Sequence, residues 1–416
     1  MQSTKFNGMD LFTGQLGEVR LQAGYGIEGG IQSGIGGAIG SGTFASNGVY
    51  QSGVSGNSVQ SGDFNGDGII DLAISGSNSL SIMLGNGDGS FQAGVTYQSG
   101  SGARALQVGD FNGDGILDIV TADYSQSPGT VSIFLGNGDG SFQNRTSFQV
   151  GLNPNSIQTG DFNGDGILDL ATVDYGSQAV SVLIGNGDGS FQARVSYQGA
   201  GNMYSLQSKD LNSNGILDLF YFDYDELAIG ILFGKGDGTF EAASSFYASY
   251  ATTIMQSADV NGDGIPDIIS AAHGSLYSQI GNGDGTFQAA VLHSAGGNPS
   301  SMQIGDFNGN GILDVMISHN VDSTVNLMFG NGDGTFQPGV SFLVGNASAI
   351  KVADLNSNGV FDFVSIGGTN VNVFLANVKD GVAPLLPFDL STMAGARQAL
   401  PAFDSKIQQL ASQRGQ

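Results

Sequence analysis

Short runs of alternating apolar and polar residues, separated by clusters rich in Gly and Asp, cover most of the chain. The stretch around Asp110 shows the unit. Ala105-Leu106-Gln107 leads into an Asp-rich cluster, Ile116 to Thr121 follows it, and Val131 to Leu135 and Ser141 to Phe148 come next. This predicts four short strands, A to D, joined by tight turns. The cluster Asp-x-Asn-x-(Asp/Asn)-Gly-x-x-Asp begins at Asp63, Asp110, Asp161, Asp210, Asp259, Asp306 and Asp354, with spacings of 47, 51, 49, 49, 47 and 48 residues. A period near 48 suits a four-stranded unit rather than a pair of helices. Between C and D stands Gly-Asn-Gly-Asp-Gly at 85, 136, 185, 281 and 330, and Gly-Lys-Gly-Asp-Gly at 234. These sequences supply the positive φ angles of a tight hairpin.

The seventh unit has no strand D of its own, because Val371 to Leu375 runs on into Asn377-Val378-Lys379. The missing piece lies at the other end of the chain. Gly42-Thr43-Phe44 through Gly53 repeats the pattern of Gly89-Ser90-Phe91 through Gly100. A ring of sheets closed by its own amino-terminal strand leaves no free edge, so the sequence predicts a mainly β protein, a seven-bladed β-propeller over residues 40–377.

Composition sharpens the picture. Lys+Arg number 12 against 37 Asp+Glu, a net charge of −25, which disfavours nucleic acid as a partner. The absence of cysteine removes disulfides, thiol nucleophiles and thiolate metal sites. No apolar run is long enough to span a membrane, and no cleavable secretion signal opens the chain.

The acidic charge is placed by the repeat, with 18 of the 33 aspartates inside the seven loops. Loop positions one, three, five and nine offer side-chain oxygens and position seven a backbone carbonyl, while glycine at position six permits the sharp turn, as Ca²⁺ requires. In the first loop these are Asp63, Asn65, Asp67, Ile69 through its carbonyl, and Asp71. The second has Asp110, Asn112, Asp114, Ile116 and Asp118, the third Asp161, Asn163, Asp165, Ile167 and Asp169. The fourth has Asp210, Asn212, Asn214, Ile216 and Asp218, the fifth Asp259, Asn261, Asp263, Ile265 and Asp267. The sixth has Asp306, Asn308, Asn310, Ile312 and Asp314, the seventh Asp354, Asn356, Asn358, Val360 and Asp362. Metal-free Asp/Asn/Gly turns are the competing explanation. Asn214, Asn310 and Asn358 remove a carboxylate from their loops, which should bind more weakly. Seven Ca²⁺ ions would take the charge from −25 to −11 and so couple metal to folding.

In the form Asp-Phe-Asn-Gly-Asp-Gly-Ile-Leu-Asp, at 110–118 and 161–169, the loops resemble the FG-GAP or VCBS repeats of integrin-α-like propellers. That resemblance covers about four-fifths of the chain and implies calcium and a propeller, without naming a function.

Residues 378–390 read as a linker containing Pro384 and Pro387. From Ser391 to Gln416, Ala396, Leu400, Phe403, Ile407 and Leu410 recur at steps of four and three, the seam of a partner-seeking helix that Pro401 should kink. A short helix packed on the propeller itself would show the same seam. Both ends resemble bacterial flagellin. Thr4 to Phe12 and Gly17 to Gly24, within residues 1–39, look like the place where its amino-terminal core helices give way to a β-hairpin. Ala394 to Leu400, with Ile407, Leu410, Ser412, Gln413 and Arg414, looks like the start of its returning core helix. The resemblance implies a core-truncated filament subunit whose variable region is the propeller, displayed outside the cell on the flagellar filament. Its partners would be other flagellin subunits, met through core helices in the full-length protein, and such a fragment should not polymerise.

Strand alternation puts the A–B and C–D connections on one propeller face, and entry and exit should lie there side by side. The opposite face is then the contact surface, for a surface glycan or a protein. On it fall Asp123-Tyr124, Asp174-Tyr175 and Asp223-Tyr224, with His273 and His319 at similar places. Tyr124, Tyr175 and Tyr224 suit stacking on a sugar, with the carboxylates hydrogen-bonding it; the same tyrosines would also serve simply to cover blade ends. Three histidines, four glutamates and no cysteine leave few groups for catalysis, so no enzyme is expected. The reading is a flagellar filament subunit bearing a calcium-binding propeller, with a secreted calcium-dependent lectin or adhesin on a helical stem as the alternative.

Overall fold

The computed structural model describes residues 39–379, apart from 126, 249–251, 253 and 346, together with two short strands at 5–6 and 9–10. Seven four-stranded antiparallel sheets make up the body. Blade 2 is typical: A is Ala103–Gly109, B is Asp118–Asp123, C is Thr130–Phe134 and D is Thr146–Gln149. The burial of each strand follows its radial place. In the A strand Ala103, Leu106 and Gly109 are buried, with Arg104 exposed and the others half-buried, while B strands are buried throughout and D strands are mostly exposed.

Strand C, Thr130–Phe134, lies one residue earlier than expected, and strands B and D differ more. Ile116 and Leu117 belong to the loop, and strand B starts at Asp118. Strand D is shorter than Ser141 to Phe148, because Phe142 makes only a single bridge to Gly136 before the chain rejoins the sheet at Thr146. Gly136 allows that tight turn: a Cβ there would stand 2.5 Å from the carbonyl oxygen of Leu117.

Blade 7 closes as its sequence predicts. Its strands are Ala349–Ala353, Asp362–Gly367, Asn370–Lys379 and, as outer strand D, Ile39–Gln51. The last two pair antiparallel, with Tyr50 opposite Val371, Ala45 opposite Leu375 and Ile39 opposite Lys379. Residues 378 and 379 therefore extend strand C instead of starting the linker, and the paired segment runs from 39 to 379. The innermost A strands form a closed circle, each beside the next and that of blade 7 beside that of blade 1.

Seven clusters of buried apolar residues hold the ring, one at each blade-to-blade boundary. Aromatic wedges recur in them. Phe64, in the loop of blade 1, meets Phe142, in the C–D turn of blade 2, edge to face at 5.7 Å, and Phe162 meets Phe240 in the same way. The turn of one blade also hydrogen-bonds the loop of its neighbour, from Gly140 N–H to the Phe64 carbonyl and, across the closure, from Gly89 N–H to that of Leu355.

Lys5–Phe6 and Met9–Asp10 pair as a two-stranded hairpin. The described residues include no α-helix, and none long and apolar enough to cross a membrane. The linker from residue 380 onward and the helix expected over 391–416 lie outside the described residues.

Candidate functional site

The seven loops share one fold, set by their first aspartate. Asp63 accepts the N–H groups of Gly66 and Gly68, each at 2.8 Å, and Asn65 and Asp67 then cap N–H groups two residues on. Gly66 and Gly68 take φ of 74° and 81°, the left-handed region that suits glycine. In loops 4 and 7 the fourth position is Ser213 and Ser357, at φ of 58° and 56°, which adds strain to the loops that also lack a carboxylate at position five. The loop around Asp306 departs in another way: Asn308 turns its amide to Asp314 at 3.2 Å.

The ninth position stands apart from the other three. Asp71, Asp118, Asp169, Asp218, Asp267, Asp314 and Asp362 are all fully buried. Asp118 accepts the N–H of Phe111 at 2.9 Å and that of Gly136 at 2.8 Å, tying its own loop to its own C–D turn. The same clamp recurs in every blade, including blade 7, where Ala376 replaces the turn glycine. Burial, with the nearby loop aspartates adding to it, pushes Asp71 up to about 6 and Asp118 to about 7. The sequence gives positions one, three, five and nine equal standing as ligands. The structure leaves the first, third and fifth at least partly exposed, apart from the buried Asp306 of loop 6, and makes the ninth an internal strap.

Among the described residues no group of three Asp, Glu or His side chains stands ready to hold a metal ion by itself. The donor chemistry still fits a hard cation, since Asp63, Asn65 and Asp67 are hydrogen-bonded neighbours in one turn and all offer oxygen. Asp71 lies close enough to feel the charges of Asp63 and Asp67.

On the opposite face the carboxylates expected to meet a ligand are inside the protein. Asp123 is buried and accepts hydroxyls from Thr121, Thr130 and Ser132. Asp174 accepts the N–H of Gly151 and the hydroxyls of Thr172 and Ser181, and burial pushes it up to about 6. Asp223 bonds the N–H groups of Asp225 and Glu226. These groups close blade ends and are withdrawn as ligand contacts, as is His319, which is buried; His273 occupies an exposed turn.

The tyrosines do gather, around two residues that the sequence reading passed over. Tyr204, on strand A of blade 4, lies 5.6 Å from Tyr175 and 6.1 Å from Tyr224, ring to ring. Arg104, on strand A of blade 2, stacks its guanidinium 4.5 Å over Tyr124. Burial and the neighbouring Tyr175 push the Tyr204 hydroxyl up to about 12. Arg104 and Tyr204 line a cavity of about 490 Å³ on the propeller axis. Its lining also includes Gln60, Gln107, Gln158, Gln207, Gln256 and Gln303, each the third residue before its loop, a place that Lys351 takes in the sequence of blade 7. Several of these amides bridge to the next A strand, Gln158 to the Leu206 carbonyl at 3.0 Å and Gln256 to that of Met302 at 3.0 Å. The equal spacing of the six glutamines from their loops was a readable signal.

Seven four-stranded blades with an acidic turn between each A and B strand define a repeat β-propeller. The FG-GAP-like repeat family matches six overlapping stretches, 63–121, 110–172, 161–221, 210–270, 259–317 and 306–365, and the chain belongs to that family. Among solved structures it is similar to an Agrocybe aegerita lectin described as recognising non-reducing terminal N-acetylglucosamine, at 19% identity and a TM-score of 0.53, over 78% of this chain and 86% of that one. It is also similar to BBS1N, solved in complex with ARL6DN, at 9% identity and a TM-score of 0.57, over 80% and 97% of the two chains. At these identities the likeness concerns the fold alone. No curated protein sequence matches the chain.

Proposed function

We propose that this chain is an extracellular display module: a calcium-stabilised propeller carried on a stem, as the variable region of a flagellar filament subunit, acting by contact and not by catalysis. The observation that carries the reading is the pairing of Ile39 with Lys379 and Gly40 with Val378. The chain enters and leaves the ring as two neighbouring strands, the geometry an insertion between paired stem helices needs. Gly40 and Gly42 lie against Phe307, Asn308 and Phe329, so the entry strand reaches the loop side, where a stem would be mounted. An FG-GAP propeller suits a surface or adhesion protein, and the flagellin-like ends supply the filament assignment. Partners would be other subunits through core helices, with no role for nucleic acid or membrane insertion.

In this reading Asp63, Asn65, Asp67, the Ile69 carbonyl and Asp71, with their counterparts, hold Ca²⁺. The ion neutralises carboxylates that the fold crowds together. Without a bidentate Glu, affinities of roughly 10⁻⁴ to 10⁻³ M are expected, as in extracellular modules. Melting in calcium and in chelator tests this: calcium should raise the midpoint, and equal midpoints at low salt would remove the metal from the proposal. Joining residues 39–379 between flagellin core helices tests the display half. Subunits that co-assemble and carry a protease-resistant propeller support it; a folded propeller that blocks every filament contradicts it.

A second reading, a secreted calcium-dependent lectin or adhesin, is favoured by the tyrosine cluster around Arg104. Glycan binding by the chain alone, with no entry into filaments, would favour it over the first.

A further inference from the structure

We propose that the cavity mouth on the face opposite the loops binds a carboxylate-bearing sugar. Arg104 would take the carboxylate, and Tyr124, Tyr175, Tyr204 and Tyr224 would offer ring faces to the sugar. The inference rests on the reading of this face as the contact surface.

Repetition is the first argument. The scaffold positions repeat from blade to blade, yet the residue after strand B is Ser77, Tyr124, Tyr175, Tyr224, His273, Asn320 and Gly368 in turn. Tyrosine occupies three consecutive blades and no others. At the second position of strand A, Arg104 and Tyr204 stand where blades 1 and 3 have Asn57 and Asn155. Scaffold needs would give the same residue in each blade. These departures meet in one arc, with contacts of 4.5 to 6.1 Å from Arg104 to Tyr124 and from Tyr204 to its two tyrosine neighbours.

Chemistry narrows the ligand. The cavity falls within the roughly 300–1,000 Å³ of small-molecule sites, but amides and hydroxyls, among them Gln107, Asn155, Gln158 and Ser205, line much of it. Such a wall suits hydroxyls better than an apolar molecule, and tyrosine faces suit the C–H surfaces of a sugar ring. Arg104 adds a charge requirement. In a chain with 37 acidic and 12 basic residues, it is exposed and makes no ion pair among the described residues. A guanidinium matches a carboxylate with two parallel hydrogen bonds. The exposed acids Asp225 and Glu226 stand beside Tyr224 on blade 4, so the ligand's carboxylate belongs at the blade 2 end.

The probes are sialyllactose and a galacturonate oligomer, with lactose as the neutral control, titrated calorimetrically into the intact chain in calcium buffer. At least one acidic sugar should bind more tightly than lactose, and rising salt should weaken it. R104A should lower that affinity about tenfold or more, the scale of a charged hydrogen bond. R104K should fall between, and Y224A should weaken every sugar. Arg104 is exposed, so melting of R104A should match the parent; if it does not, R104K carries the comparison. Equal affinity for lactose and the acidic sugars, R104A binding unchanged, or poly-glutamate binding as tightly as the sugars would overturn the proposal. None of these measurements involves a filament, so failure of display and failure of this site remain separable.

Discussion

Asp118 and Asp114 sit in the same loop and look alike in sequence, but one is buried and clamped by two backbone N–H groups while the other is exposed. Asp118→Ala leaves two buried donors without partners, and should destabilise by about 2–5 kcal/mol with or without calcium. Asp114→Ala should leave the calcium-free midpoint nearly unchanged and reduce only the rise that calcium gives; denaturation with and without chelator separates the two. Motif spacing names the residues but not this division of labour, because burial of the ninth position depends on the turn that closes over it. Asp174 gives a prediction about pH. Its pKa in the fold is about 6 against 3.8 in the unfolded chain, raised chiefly by burial. Between those values the folded state holds the extra proton, so this group's contribution to stability is present at low pH and lost as pH rises toward 6. A shift of about two units corresponds to about 3 kcal/mol, and Asp174→Asn should flatten that part of a stability profile measured by urea unfolding.

Among elements, the strands were legible because period-two runs and Gly-Asp-Gly turns alternate with little noise, and the borrowed strand of blade 7 was legible because it copies its six counterparts. The blade ends were not. Asp123 reads as a surface carboxylate beside a tyrosine, and only the packing of Thr121, Thr130 and Ser132 around it shows why it turns inward. The glutamine ring escaped notice for a related reason, since one polar residue on an inner strand gains meaning only when the seven A strands face each other. Gln158 spans to the Leu206 carbonyl of the next blade, where no backbone ladder joins the A strands. Gln158→Ala should therefore cost about 1 kcal/mol and speed amide exchange locally on the inner strands of blades 3 and 4, with the outer strands unaffected. Exchange that rises evenly through the molecule would assign the glutamine a role in global stability instead.

For the molecule as a whole, the ring depends on one strand separated from the rest of its blade by nearly 300 residues of chain. Ile39–Gln51 supplies the outer strand of blade 7, and its Phe44 meets Phe342 of blade 6 and Phe363 of blade 7 edge to face, at 5.9 and 4.9 Å. Removing residues 1–51 exposes the edge of Asn370–Lys379 and opens the cluster that holds Phe44. An exposed edge is a template for another strand, so this variant should melt earlier and self-associate, whereas removing 391–416 takes no strand from the ring. A peptide of residues 39–53 added in trans should bind the shortened chain and restore both its midpoint and its monomeric size. If the carboxy-terminal deletion proved the more damaging, or the peptide failed to bind a shortened chain that was otherwise folded, closure by Ile39–Gln51 would not be what holds the ring, and the adjacent ends would lose their meaning as a mounting point.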